Sequence, residues 1–193
     1  MFLTAVIALL LVSANAFSIS RTARATSRSL NMAFAGGLPG NEGPELKNFD
    51  PLGLAEKSPE WVPFFREAEL KHGRIAMLAT AGWLAVDLGV TLPDHAFSSV
   101  AAHNAGVTSG AMIQILFWTS LFEIISCPAV AALKDGSRKP GDFGFDPLGF
   151  GKNAANLAKY QVNELKNGRL AMMAIGGLAT QSVMTGHGFP YLY

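Results

Sequence analysis

One stretch of this chain occurs twice. Glu69-Leu70-Lys71-His72-Gly73-Arg74-Ile75-Ala76-Met77 returns as Glu164-Leu165-Lys166-Asn167-Gly168-Arg169-Leu170-Ala171-Met172, with seven of nine positions identical. Phe49-Asp50-Pro51-Leu52-Gly53 returns as Phe145-Asp146-Pro147-Leu148-Gly149. A single long hydrophobic segment lies between the copies. If each long apolar segment crosses a membrane, the two repeated helices run in the same direction and can be related by a pseudo-two-fold axis along the membrane normal. Composition supports the membrane. Half the residues are hydrophobic, 15% are charged and mean hydropathy is +0.28, against about 25% charged residues in a typical soluble domain.

Several function classes fall away at once. A net charge of +1 gives no clustered basic surface for nucleic acid, whose binding needs phosphates neutralised. The lone Cys127 excludes an internal disulfide and every Cys-pair zinc or iron–sulfur site within one chain. No GxxxxGK[ST], GxGxxG, HExxH or GxSxG is present, so the familiar enzyme signatures are missing and the protein is expected not to be an enzyme.

The N-terminus reads as an address. Met1 to Val12 is apolar but too short to span a bilayer, and Ser13-Ala14-Asn15-Ala16 supplies the Ala-x-Ala pattern of signal cleavage. Phe17 to Met32 is Arg- and Ser/Thr-rich without acids, as organelle transit peptides are. The expected organisation is a signal peptide at 1–16, an organelle transit peptide at 17–32 and one three-helix domain at 33–193.

Three hydrophobic segments follow, at about 63–88, 110–133 and 158–185. The middle one is the plainest: between Asp94 and Lys134 the only charged side chain is Glu123. The other two each have a charged N-terminal third before an uncharged run, Ile75 to Val86 and Leu170 to Gly186. By hydropathy alone those two also suit buried helices of a soluble protein. The basic residues decide. All twelve downstream of Met32 lie at or before Arg74, or between Lys134 and Arg169. With three spans this puts every positive charge on one side of the membrane, as the positive-inside rule requires. The expected fold is therefore an all-α membrane protein with three transmembrane helices, the first and third forming a crossed pseudo-two-fold pair.

Within one helix Glu69 and Arg74 lie about 140° apart around the axis, so they are poor partners for each other. The same holds for Glu164 and Arg169. Across a two-fold axis, Glu69 can reach Arg169 while Glu164 reaches Arg74. Gly73, Ala76 and Thr80, with Gly168 and Ala171 opposite, are small enough for close helix approach in lipid. An unpaired charge there costs about 3 kcal/mol or more, so the recurrence of both partners implies a contact between the helices.

A carboxylate neutralised by Arg keeps free lone pairs, and three residues further on the same face come His72 in one copy and Asn167 in the other. No four of these donors are close enough in sequence for a zinc or calcium cage. Single donors scattered along helices suit a metal whose other positions are already filled, as magnesium's are in a chlorophyll ring. Gln181 lies about 40° from Asn167 around the helix and about 21 Å further along it; ligation and an interhelical hydrogen bond are both open to it. Glu123 is either a protonated or hydrogen-bonded carboxyl, or a pigment ligand or the partner of one.

These motifs resemble the chlorophyll-binding light-harvesting antenna proteins with three membrane spans, over roughly Phe49 to Gly186. The resemblance implies that Glu69 with Arg169, and Glu164 with Arg74, form interhelical pairs whose Glu also ligates chlorophyll magnesium. It implies that His72, Asn167 and Gln181 are single-residue magnesium ligands, and that Glu123, with Gln114 upstream, stands where the middle helix commonly carries a further ligand. The two Phe-Asp-Pro-Leu-Gly turns match segments flanking the ends of two crossing carotenoids; read from the residues alone, each is a helix-start turn. The tail departs from the land-plant pattern, and His187 is expected to be a loop residue. Signal cleavage followed by Phe17 resembles the presequences of algae with red-lineage plastids. The nearest resemblance is to the fucoxanthin chlorophyll a/c proteins and their photosystem I relatives. That implies chlorophyll a, chlorophyll c and a carotenoid (fucoxanthin or a related xanthophyll) as cofactors. It also implies thylakoid lipid, other antenna subunits and a photosystem core, I in preference to II, as partners, with the basic side stromal and no nucleic acid bound.

Two other classes compete. An ion- or proton-translocating protein also places Glu and Arg within spans, but it needs a polar path, and the far halves of spans one and three offer little beyond Thr80, Thr180, Gln181 and Ser182. A photoprotective member of the same family would sense acid on the lumenal side, where Asp87 and Asp94 are the candidates.

Overall fold

The computed structural model describes residues 34–40, 48–91 and 97–191. The expected leader, 1–32, and Asp94 lie outside the described residues. The described part contains five α-helices: α1 (Leu54–Lys57), α2 (Val62–Asp87), α3 (Ala102–Thr108), α4 (Ala111–Ala131) and α5 (Ala154–Thr185). The long helices coincide with the three hydrophobic segments to within two residues, except that α5 starts four residues earlier. Ala154-Ala155-Asn156-Leu157 is compatible with helix but is not hydropathic enough to stand out. Of the described helices, α4 alone is apolar enough along its length to cross a membrane by composition, because α2 and α5 carry charges in their first halves. The seven-residue α3, between the first two long helices, has no periodic apolar face to announce it.

Each Phe-Asp-Pro-Leu-Gly copy builds the same turn. Asp50 accepts the Leu54 N–H at 3.0 Å and the Ala55 N–H at 2.7 Å; Asp146 accepts those of Phe150 at 3.1 Å and Gly151 at 2.7 Å. Gly53 and Gly149 close the turns at φ 62° and 67°, in the left-handed region that glycine adopts without a Cβ penalty. The Ala55 N–H first, then that of Leu54, holds the exposed Asp50 carboxyl below its ordinary value. The Gly151 N–H does the same for Asp146.

Helices α2 and α5 pack directly. A Cβ placed on Gly73 would lie 3.0 Å from the Cα of Gly168, and one on Gly168 would lie 3.1 Å from the Cα of Gly73. Thr80 Oγ1 donates to the Ala171 carbonyl at 3.4 Å. The C-terminal ends also meet, since Val86, Asp87, Ser182 and Val183 line one cavity of about 460 Å³. The two helices therefore run in the same direction.

Helix α4 behaves differently. None of its residues is buried, and Ile113, Leu116, Phe117, Trp118, Phe122 and Ile125 are all more than half exposed. Across the described residues the buried hydrophobic side chains are only Ala76, Leu133, Val162, Leu165 and Ala171. A water-soluble domain of this length buries most of its large apolar side chains. Here the polypeptide covers the α2–α5 seam and leaves the rest of its apolar surface for other apolar groups.

Candidate functional site

Both expected interhelical pairs are present. Arg74 Nε donates to Glu164 Oε1 at 2.7 Å, and Arg169 Nε donates to Glu69 Oε1 at 2.8 Å. Each guanidinium also holds a loop carbonyl, Arg74 Nη2 donating to that of Gly141 at 2.9 Å and Arg169 Nη1 to that of Gly40 at 3.3 Å. The dyad thus extends into the loops. Pro39-Gly40 and Pro140-Gly141 are a third repeated motif, hidden in the sequence because they precede their Phe-Asp-Pro-Leu-Gly copies by unequal distances.

The donor candidates lie outside this seam. His72 is exposed, and its Nδ1 lies 2.7 Å from the Ala68 carbonyl. That bond assigns the proton to Nδ1 and leaves the Nε2 lone pair free. Asn167 is exposed, and no side-chain hydrogen bond engages it among the described residues. Gln181 is also exposed and its side chain makes no interhelical hydrogen bond among the described residues; only its backbone carbonyl is engaged, by Thr185. Glu123 is paired: Lys71 Nζ reaches its Oε2 at 2.7 Å and Ser126 Oγ at 3.4 Å, which ties α4 to α2. Gln114, on the same helix, is exposed. His187 is a loop residue, its N–H donating to Thr185 Oγ1 at 3.3 Å. Asp87 accepts the Phe189 N–H at 2.9 Å.

Three charged residues escaped the sequence reading because they occur in one copy only. Arg66 Nη1 approaches Glu69 Oε2 at 3.1 Å, so both oxygens of Glu69 face a guanidinium. Glu67 is 2% exposed and faces Arg138 Nη2 at 2.8 Å. A groove of about 560 Å³ lies beside Glu69, lined by Leu38, Phe49, Leu54, Phe65 and Arg66 among others.

The donor set can be tested against a magnesium macrocycle. Among the described residues no three His, Cys, Asp or Glu side chains are grouped so as to hold a bare metal ion. What is present is the imidazole nitrogen of His72, the amide groups of Asn167, Gln181 and Gln114, and the second carboxylate oxygen of Glu164, spread along three helices and not gathered around one point. Scattered donors of this kind would suit a cation whose other positions are already filled, so the residues fit the ring of a chlorophyll.

Fold and site together describe a helical scaffold whose apolar faces carry single exposed donors of the kind a ring-bound metal cofactor would take. The chain belongs to the family described as chlorophyll A-B binding protein, whose sequence model matches residues 32–183. It is similar to a chloroplastic fucoxanthin-chlorophyll a-c binding protein of Chattonella marina var. antiqua, 37% identical over 97% of this chain and 91% of the relative. Fucoxanthin-chlorophyll a-c binding protein F of Phaeodactylum tricornutum is 37% identical over 89% and 90%. The light-harvesting complex stress-related protein 1 of Chlamydomonas reinhardtii is 36% identical over 79% and 67%.

Proposed function

We propose that this chain is a light-harvesting antenna subunit that binds chlorophyll a, chlorophyll c and fucoxanthin or a related xanthophyll and passes excitation to a photosystem. The observation that carries this reading is the contrast between a tightly packed α2–α5 seam and apolar helix faces bearing single, unengaged donors. The pigments supply light absorption and dipole-coupled excitation transfer; the protein fixes their separation and orientation. In this reading His72, Asn167, Gln181 and Glu164 each offer one magnesium ligand, with Glu69 a weaker donor because Arg66 and Arg169 both face it. Glu123 serves first as the partner of Lys71, and Gln114 stays a ligand candidate on α4. Arg74 and Arg169 hold the two carboxylates in place. Helices α2, α4 and α5 are the three spans of a thylakoid protein whose basic end is stromal, the chain is delivered by the 1–16 and 17–32 leader, and the photosystem served is I. The relatives in Chattonella and Phaeodactylum, both named chloroplastic, favour plastid placement.

The experiment is refolding with purified pigments followed by the excitation spectrum of chlorophyll a emission. Carotenoid and chlorophyll c bands in that spectrum are the expected result; a pigment-free protein, or emission excited through chlorophyll a alone, overturns it. The stress-related relative makes a photoprotective role the second reading, with Asp87 as acid sensor. A fluorescence lifetime that shortens on acidification would favour that role, and an unchanged long lifetime supports harvesting.

A further inference from the structure

Helix α4 has no buried side chain, and two polar contacts reach its C-terminal half. One is Lys71 with Glu123. The other centres on Arg138, seven residues beyond the helix end. Arg138 Nε donates to the Ala129 carbonyl at 2.9 Å, one of the last four carbonyls that a helix leaves unpaired. Its Nη1 donates to the Asp142 carbonyl at 2.7 Å, and its guanidinium lies 4.5 Å from the centre of the Phe143 ring. Nη2 faces Glu67 Oε1 at 2.8 Å, as an ion pair and not an aligned hydrogen bond. The other oxygen of Glu67 accepts the Gly141 N–H at 2.5 Å, while the Gly141 carbonyl accepts Arg74. Glu67, on α2, is thereby joined to the end of α4, to the α4–α5 loop and to the Arg74–Glu164 pair. At the equivalent position in the second copy stands Val162, an apolar residue. The fold does not need a carboxylate there twice.

We propose that Glu67 and Arg138 form a clamp that sets where α4 stands relative to the α2–α5 pair, and with it the separation between pigments held on the two sides. The second half of that statement rests on the antenna reading; the first does not. A fully buried carboxylate is costly unless paired and hydrogen-bonded, and the contacts it makes here point at the α4 end and the loop that follows.

The test uses the pigment-loaded protein and places spin labels on the native, exposed Cys127 of α4 and on Leu78→Cys, an exposed site on α2. In Arg138→Met the label-to-label distance distribution is expected to broaden about twofold as the α4 end loosens, and carotenoid-to-chlorophyll a transfer is expected to drop while pigments per polypeptide stay unchanged. Exposed Lys139→Met, the neighbouring control, leaves both as they are. An unchanged, narrow distribution in Arg138→Met overturns the clamp. If Arg138→Met fails to assemble, Glu67→Gln, which keeps the shape and removes the charge, is read the same way, and a native distribution there overturns it equally. A chain that takes up no pigment at all contradicts the antenna reading and leaves the distance measurement, made in detergent, to decide the clamp.

Discussion

Among the described residues a single guanidinium engages Glu164, that of Arg74 at 2.7 Å; around Glu69 there are two, Arg169 at 2.8 Å and Arg66 at 3.1 Å. Two positions earlier on each helix, the first copy has buried Glu67 and the second has buried Val162. Lys71 crosses to Glu123, whereas Lys166, its counterpart, is exposed and has no ion-pair partner among the described residues. The backbone crossing is thus duplicated with high fidelity and the electrostatics around it are not. Repetition preserved what two close helices require, which is glycine at the contact and a reciprocal charge pair. The flanking charges specialised: the first copy anchors α4 and its loop, and the second keeps a carboxylate oxygen open.

The comparison can be broken most forcefully at the arginines. Arg74→Leu strips Glu164 of the cation that engages it and should cost on the order of 3 kcal/mol, whereas Arg169→Leu leaves Glu69 facing Arg66 and should cost clearly less. Thermal loss of visible circular dichroism in the two pigmented variants ranks them, and equal melting would remove Arg66 from the account. Next come the glycines, where the halves should agree. Gly73→Ala and Gly168→Ala each drive a Cβ against the facing backbone at about 3 Å, an overpacking cost of about 1–3 kcal/mol; unequal melting temperatures would show that the dyad is only approximate at the seam. Smaller again, Lys71→Met should cost up to about 1 kcal/mol, since its pair with Glu123 is partly exposed, while Lys166→Met should be neutral in chemical denaturation.

A slight effect, confined to acid, belongs to the turns. Asp50 and Asp146 both have carboxyls held below the ordinary value by backbone N–H groups. The stability they contribute is therefore fully present above the unfolded-state value of about 4 and is lost as pH falls through the lower folded-state value. Asp50→Asn and Asp146→Asn should each flatten the acid limb of stability below about pH 4 slightly and alike. A difference between the two, followed by circular dichroism against pH, would mean that the turns are not equivalent.

Much of this arrangement was legible in the sequence because duplication makes long-range contacts visible. Glu69 with Arg169 and Glu164 with Arg74 are 100 and 90 residues apart, yet their recurrence at one spacing, in a helix where they cannot pair internally, predicted the cross-pairs. The glycine contact followed from the same logic. What stayed hidden occurs once or at irregular spacing. Glu67 with Arg138 has no second copy to expose it, and the carbonyls of Gly40 and Gly141 sit in loops of different length. Glu123 could be recognised as needing a partner, but nothing in an apolar helix indicates which lysine on another helix will supply it. Gln114 gains no contact that would raise it above its standing in the sequence.

The claim on which the rest depends is that exposed single donors on the two repeated helices each hold a chlorophyll. Chlorophyll per polypeptide, measured by pigment extraction from the purified native chain and from the His72→Ala, Asn167→Ala double variant, tests it most directly. The account predicts a loss of about two chlorophylls, one for each donor removed, with α-helical content retained. An unchanged chlorophyll count in the folded double variant would contradict it.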